Sequence, residues 1–168
     1  MNLIVVVDKN WGIGKNNGLL FSLKKDMKFF RETTTGKVVV MGANTFLSFP
    51  NGALPNRVNV VLDDKGRTFD GALTVRDVAA LQRAISIYPP QDVFVIGGAS
   101  VYALLADCCS TAYVNKVAED GGAQLFFPNL DQRENWTLQS ASEPISDEGH
   151  LLTFCVYRNE RVKPLDAK

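Results

Sequence analysis

The chain has 168 residues, 46% of them hydrophobic and 21% charged, which suits one well-buried soluble domain and is short for two. Its 18 basic and 18 acidic side chains cancel, so no bulk field draws it to nucleic acid or to an anionic membrane. Three cysteines, Cys108, Cys109 and Cys155, and a lone His150 fit neither a disulfide framework nor a zinc centre. No apolar run approaches the ~20 residues of a membrane span.

Leu3 to Val7 is a continuous β-branched run, the pattern of a strand buried on both faces. Asp8-Lys9-Asn10 follows at once, which is not the pattern of a signal peptide. The expectation is a cytoplasmic monomer with no metal, nucleic-acid or membrane partner. Asp8 to Gly18 is a Gly/Asn-rich loop, long enough to be either a functional lid or a plain surface loop. Ser22 is placed as the N-cap of a first helix running to about Thr34, with Leu23, Met27 and Phe30 on one face and Asp26 beside them. A carboxylate flanked by apolar side chains needs a partner, because burial without one is costly. It is either a ligand-pairing group or an ordinary first-turn acid favoured by the helix dipole.

Val38 to Met41 is a second buried strand, delivering Gly42-Ala43-Asn44-Thr45 into a helix start. Val58 to Leu62 and Ala72 to Val75 are further strands, and Asp77 to Ser86 is helical. Asp92 to Ile96 is the next buried strand, and it runs into Gly97-Gly98-Ala99-Ser100-Val101-Tyr102 at another helix start. Glycines at such places let phosphates approach backbone N–H groups, or simply allow tight strand–helix packing. Ala112 to Val117, Trp136 to Ser142 and Leu151 to Arg158 complete the strands, the last two as an antiparallel ending. This order predicts an α/β fold: a mostly parallel central twisted sheet, helices on both faces and an antiparallel C-terminal hairpin. One domain over residues 1–160 is expected, with a polar tail over 161–168 that frays. Ligands of such sheets bind off the carboxyl ends of the strands, where Val7, Gly42, Leu62 and Gly97 lie.

The motifs together resemble the dihydrofolate reductase family over essentially the whole chain. They are Gly12-Ile13-Gly14; Leu23-x-x-Asp26-Met27-x-x-Phe30; Val40-Met41-Gly42-x-x-Thr45-Phe46; Leu54-Pro55-x-Arg57-x-x-Val60; Ile96-Gly97-Gly98-x-x-Val101-Tyr102; and Phe127-Pro128. Each is short, but their order and separations are specific. The resemblance implies reduction of 7,8-dihydrofolate to tetrahydrofolate by hydride transfer from NADPH, with dihydrofolate and antifolates as ligands. Asp26 would accept the pterin's 2-amino group and ring N–H and support protonation at N5 electrostatically or through water. Arg57 would clamp the glutamate α-carboxylate. Val5, Val6, Met27, Phe30, Phe49, Leu54 and Ile96 would wall the substrate, and Asn115, at a position usually filled by Thr, would donate to Asp26. On the cofactor side the resemblance implies Ile13, Gly14, Asn17, Gly18 and Leu19 in the lid, Gly42, Ala43, Asn44 and Thr45, Leu62, Asp63 and Asp64, and Gly97 to Tyr102.

Three departures from the family pattern carry expectations. Leu20-Phe21 stands for the usual Pro-Trp, which removes an indole that holds a site water. Ala43 and Asp63-Asp64 stand where basic or hydroxyl residues meet the 2′-phosphate, which implies a weakened NADPH preference with NADH as a possible donor, unless Lys65, Arg67 or Arg76 swings in to offset the charge. Ala123-Gln124-Leu125 replaces an acid–hydroxyl pair, which is expected to alter lid dynamics. Two other readings stay open: a reductase of another heterocycle on the same fold, such as a riboflavin-pathway pyrimidine, and a non-catalytic pterin- or nucleotide-binding relic.

Overall fold

The computed structural model describes residues 1–16 and 18–165. Its first half contains β1 (Asn2–Val7), β2 (Gly12–Lys15), β3 (Gly18–Leu19), α1 (Lys24–Thr34), β4 (Val38–Gly42), α2 (Ala43–Ser48), β5 (Val58–Leu62), β6 (Ala72–Val75) and α3 (Val78–Ile85). The second half contains β7 (Val93–Gly97), α4 (Ala99–Leu105), β8 (Thr111–Val117), β9 (Leu125–Phe126), β10 (Trp136–Ala141), β11 (Ile145–Asp147) and β12 (His150–Asn159).

The β-branched runs take the middle of one sheet of order β10-β12-β8-β1-β7-β4-β5-β6, with β11 pairing β12. Pairs from β8 to β6 are parallel, and β12 runs antiparallel to β8, β10 and β11. This is the mostly parallel α/β sheet with an antiparallel ending that the strand order predicts. Val38, Val39, Val40 and Met41 are each at most 1% exposed. At roughly 1.5–3 kcal/mol for each buried side chain, β4 tolerates loss of volume poorly.

Strand alternation sorts the core into two layers. Leu3, Val5 and Val7 join Leu81 and Ile85 of α3 and Val101, Tyr102 and Leu105 of α4 on one face. On the other, Val39, Met41 and Val61 pack with Phe46 of α2, and Val117 and Leu152 pack with Leu23 at the entry to α1. Helices therefore cover both faces.

Two expectations change. The Gly/Asn-rich segment is not irregular: β2 pairs with β3 and, across the chain, with β9. Strand pairing gives the backbone at Gly12, Gly14, Lys15, Gly18 and Leu19 partners. The tail is also tied down as far as it is described, since the Lys163 amide donates to the Asp107 carbonyl at 2.9 Å and Leu165 packs on the main core.

Candidate active site

The inner side of α1 carries Asp26, Phe30 and Thr34 at i, i+4 and i+8, flanked by Phe29 and Thr33, while Lys24, Lys25, Met27, Lys28, Arg31 and Glu32 are exposed. The expected Leu23–Met27–Phe30 stripe is thus only partly right. Leu23 is buried, but Met27 is 53% exposed. The aromatic that seats the helix is Phe29, against Tyr113 and Phe154 at 6.2 and 5.2 Å between ring centroids.

Ser22 does not cap the helix; the N-cap residue is Leu23, which offers no side-chain acceptor. The orphan donors go elsewhere. Asp147, buried at the end of β11, accepts the Lys25 and Asp26 backbone N–H groups through Oδ2 at 2.9 and 3.3 Å. Capping of this kind is worth roughly 0.5–2 kcal/mol. The acceptor lies more than 120 residues from its donors, so no local pattern announces it.

Asp26 is half-buried, and Asn115 Nδ2 donates to its Oδ1 at 2.7 Å. The pairing of Val6 with Asn115 in the β1–β8 ladder places that amide opposite α1. Burial raises the Asp26 carboxyl above its ordinary value; the Asn115 hydrogen bond lowers it, and the Asp147 charge adds to the rise. The Asn115 Oδ1 is buried and has no hydrogen-bond partner among the described residues. An acceptor left in that state invites a donor from a ligand.

Arg57 reaches the same helix. Its Nε donates to the Pro55 carbonyl at 2.9 Å and its Nη1 to Thr34 Oγ1 at 3.1 Å, with the Phe30 ring beneath it. The turn that presents it is held by Asn59, a polar residue 3% exposed within β5. Asn59 accepts from the Leu54 amide and donates to the Leu54 and Arg57 carbonyls. Phe49, Leu54 and Ile96 pack together at the edge of the α2 core. Of the strand pair, Val6 faces the α1 side, whereas the Val5 side chain belongs to the opposite core. Val5 can therefore border the cleft only through its backbone.

The two glycine turns stand side by side. A Cβ on Gly98 would meet Thr45 Oγ1 at 3.2 Å, and one on Gly42 would meet Val101 Cγ2 at 3.1 Å. Gly97 has φ +130, a conformation glycine alone adopts freely, and the Gly97–Gly98 peptide is cis. Neither α2 nor α4 has a side-chain cap. Asn44 and Ser100 are exposed, Gly42, Thr45, Gly98 and Ala99 half-buried, and Ala43, Gly97, Val101 and Tyr102 buried. Tyr102 lies beside these turns: its ring is near Gly97 and its hydroxyl donates to the Ile4 carbonyl at 2.6 Å.

At the end of β5, Leu62 is half-buried and Asp64 exposed. At Asp63 the offsetting alternative is the one found: the side chain is buried and not a bare charge facing a ribose. Arg67 holds it with two hydrogen bonds, Nε to Oδ2 at 3.0 Å and Nη2 to Oδ1 at 3.2 Å, and the Arg67 amide adds a third. That guanidinium keeps the Asp63 carboxyl below its ordinary value.

In the lid segment Ile13 is half-buried, Gly14 buried, and Gly18 and Leu19 exposed. Asn17, also expected here, lies outside the described residues. The segment's root is fixed by residues that the sequence reading passed over. Asp8 Oδ1 accepts from the Asn10 and Gly12 amides, and its Oδ2 accepts from the Gly121 amide. Trp11 is a core residue between Phe127 and Tyr157, with Lys116 Nζ 4.8 Å from its ring. A Cβ on Gly12 would lie 2.3 Å from Ala123 Cβ and 2.9 Å from both Asp8 carboxylate oxygens. Gln124 ties the segment down further, its amide to the Gly14 carbonyl and its Oε1 to the Asn16 amide.

A half-buried carboxylate with raised proton affinity, on a parallel α/β sheet whose strands β4 and β7 end in glycine turns at helix starts, suits a nucleotide-dependent oxidoreductase. Comparison with known proteins narrows the class. The family model described as dihydrofolate reductase matches residues 1–161. A dihydrofolate reductase of Bacillus subtilis (strain 168) is 33% identical over 149 residues, covering 88% of this chain and 86% of the relative. One from Schistosoma mansoni is 31% identical over 179 residues, covering 94% and 95%. A solved structure of dihydrofolate reductase from Enterococcus faecalis, complexed with NADP(H) and RAB-propyl, superposes with a TM-score of 0.83 at 28% identity, covering 94% and 95%. The chain belongs to the dihydrofolate reductase family.

Proposed function

We propose that the chain reduces 7,8-dihydrofolate to 5,6,7,8-tetrahydrofolate with NADPH, and that Asp26 is its catalytic carboxylate. The observation that carries the reading is the Asp26–Asn115 pair: a half-buried carboxylate held by an amide donor, beside a buried acceptor without a partner among the described residues. A pterin edge supplies two N–H donors to a carboxylate, and its amino group has a further hydrogen for Asn115 Oδ1. Such a ligand satisfies both residues at once.

The residue roles follow from position. Asp26, with its proton affinity raised by burial, favours the added proton at N5 through the field of the carboxylate or through water. Val6, Met27, Phe30, Phe49, Leu54 and Ile96 border the ring and the aminobenzoyl group. Arg57, steadied on Thr34 and Pro55, offers its remaining guanidinium hydrogens to the glutamate α-carboxylate. The crowding at Gly42 and Gly98 and the uncapped starts of α2 and α4 fit a dinucleotide's phosphates lying against backbone N–H groups. Bound there, the reduced nicotinamide supplies the hydride for C6. The β2–β3 segment excludes water from the reacting atoms. Because Arg67 neutralises Asp63, a repelled 2′-phosphate is no longer expected from that residue, and NADPH is the preferred donor. We place the enzyme in the cytoplasm as a monomer. No helix among the described residues is long and apolar enough to cross a membrane.

The test is the fall in nicotinamide absorbance with dihydrofolate present, run with NADPH and with NADH. Turnover with NADPH, faster than with NADH at equal concentration, is expected. Folded protein that binds an antifolate and turns over with neither cofactor refutes the assignment.

A further inference from the structure

We propose that Asp147 is a positioning residue for the reaction: reaching in from β11, its carboxylate fixes the first turn of α1 and holds a negative charge beside Asp26. This rests on the reading of Asp26 as the catalytic carboxylate. The geometry is specific. Asp147 is 4% exposed, and one oxygen accepts from both Lys25 and Asp26, the latter being the amide of the reacting residue itself. The contact is reinforced from the same hairpin, where the Ser146 carbonyl accepts from Lys25 Nζ at 2.7 Å and Glu148 meets Lys24 Nζ at 3.6 Å. Leu23 cannot cap its own helix, so the start of α1 depends on this distant acid.

A capping role alone would be met as well by Asn or Ser, whose oxygens accept the same bonds. A carboxylate does more, since like charges close together favour the protonated form of the one that can take a proton. The other charged and titratable groups around α1 are engaged elsewhere or exposed. On α1, Lys24 and Lys25 are turned to Glu148 and Ser146, Lys28 pairs with Glu32, and Arg31 is exposed. On β8, Lys116 points to Trp11 and Asp131 on the other face. On α4, Tyr102 donates to Ile4. On β12, His150 pairs with Glu119. Asp147 is the carboxylate that meets the helix's own N–H groups, and it is the charge that adds to burial in raising the Asp26 carboxyl.

The experiment compares Asp147→Asn and Asp147→Ala with the parent enzyme, reading single-turnover hydride transfer against pH with NADPH and dihydrofolate. Asn keeps the acceptor and removes the charge. The expected result is a pH–rate midpoint moved to lower pH in both variants, with the rate on the alkaline limb down roughly two- to fivefold, while Asp147→Asn keeps a thermal midpoint within about 4 °C of the parent. A profile unmoved in Asp147→Asn reduces Asp147 to a cap and overturns the proposal. If Asp147→Ala does not fold, direct NMR titration of the labelled Asp26 carboxyl in Asp147→Asn decides the matter by the same sign. Asp26→Asn run alongside separates the two claims: a loss that is equal at every pH defeats the reading of Asp26, whatever Asp147 does.

Discussion

Asn115 donates to Asp26 at 2.7 Å across 89 residues of sequence, and the carbonyl oxygen of the same amide is buried with no partner among the described residues. One side chain thus completes the carboxylate and leaves an acceptor beside it. Asn115→Leu removes both. Because that hydrogen bond lowers the Asp26 carboxyl, its loss lets burial act unopposed. The pH–rate midpoint should move to higher pH, opposite to Asp147→Asn, and KM for dihydrofolate should rise about tenfold. Asn115→Thr, which keeps a donor, should restore the parent midpoint. A midpoint moving down in Asn115→Leu contradicts this account.

Asp26→Asn should lower turnover by roughly 10² to 10³ near neutral pH and far less in acid, where the substrate arrives protonated. The same variant makes a stability prediction of opposite sign. A carboxyl raised on folding contributes stability that is fully present below its ordinary 3.8 and is lost as pH rises through the folded value. Asp26→Asn should therefore be more stable than the parent at pH 7, with the two converging below that ordinary value. Urea unfolding at both pH values measures it; equal midpoints at neutral pH would show that the carboxylate is not destabilised by its site.

Arg57 spends two donors on Pro55 and Thr34 and keeps the rest of its planar fork. Lysine cannot hold both anchors and still present a bidentate edge. Arg57→Lys should raise KM for dihydrofolate on the order of 10- to 100-fold and leave a pterin without the glutamate tail nearly unaffected. A parallel rise for both substrates would remove Arg57 from the clamp.

Arg67→Ala leaves Asp63 buried without its cation. Asp63 lies low because of that guanidinium, so it contributes stability present above its ordinary 3.8 and lost as pH falls through the folded value. The variant should be less stable than the parent at pH 7 and approach it in acid. It should also raise KM for NADPH more than for NADH, as the released carboxylate turns against the 2′-phosphate. Unchanged discrimination between the cofactors would place the 2′-phosphate away from Asp63.

Much of this was legible in the chain. Runs such as Val38 to Met41 define buried strands because burial on both faces demands unbroken apolar sequence, and the glycines after them mark where backbones come together. The helical phase of Asp26 with Phe30 was legible too, while the weight given to Met27 was not, since Phe29 seats the helix. What escaped depends on contacts between distant segments. Asp147 looks like part of a polar turn until β11 brings it to α1. Asp63 reads as a charge that Lys65, Arg67 or Arg76 could offset, and only the fold shows that Arg67 is the one that closes on it. Asn59 and Asp8 did leave a trace: a polar residue inside or at the end of a buried run must have partners to be there at all.

The contact between Gly12 and Ala123 bears on how this enzyme can change over generations. With the missing Cβ of one position only 2.3 Å from the existing Cβ of the other, the two sites cannot vary independently. A side chain gained at 12 would push β2 off β9 and strain the Asp8 clamp together, so single-step variants there should be lost before selection on activity begins. Diversity will collect instead at Leu19 and Leu125, whose side chains already face solvent. The seam beneath the lid is therefore expected to tolerate change only as a unit, and its outer surface to tolerate change residue by residue.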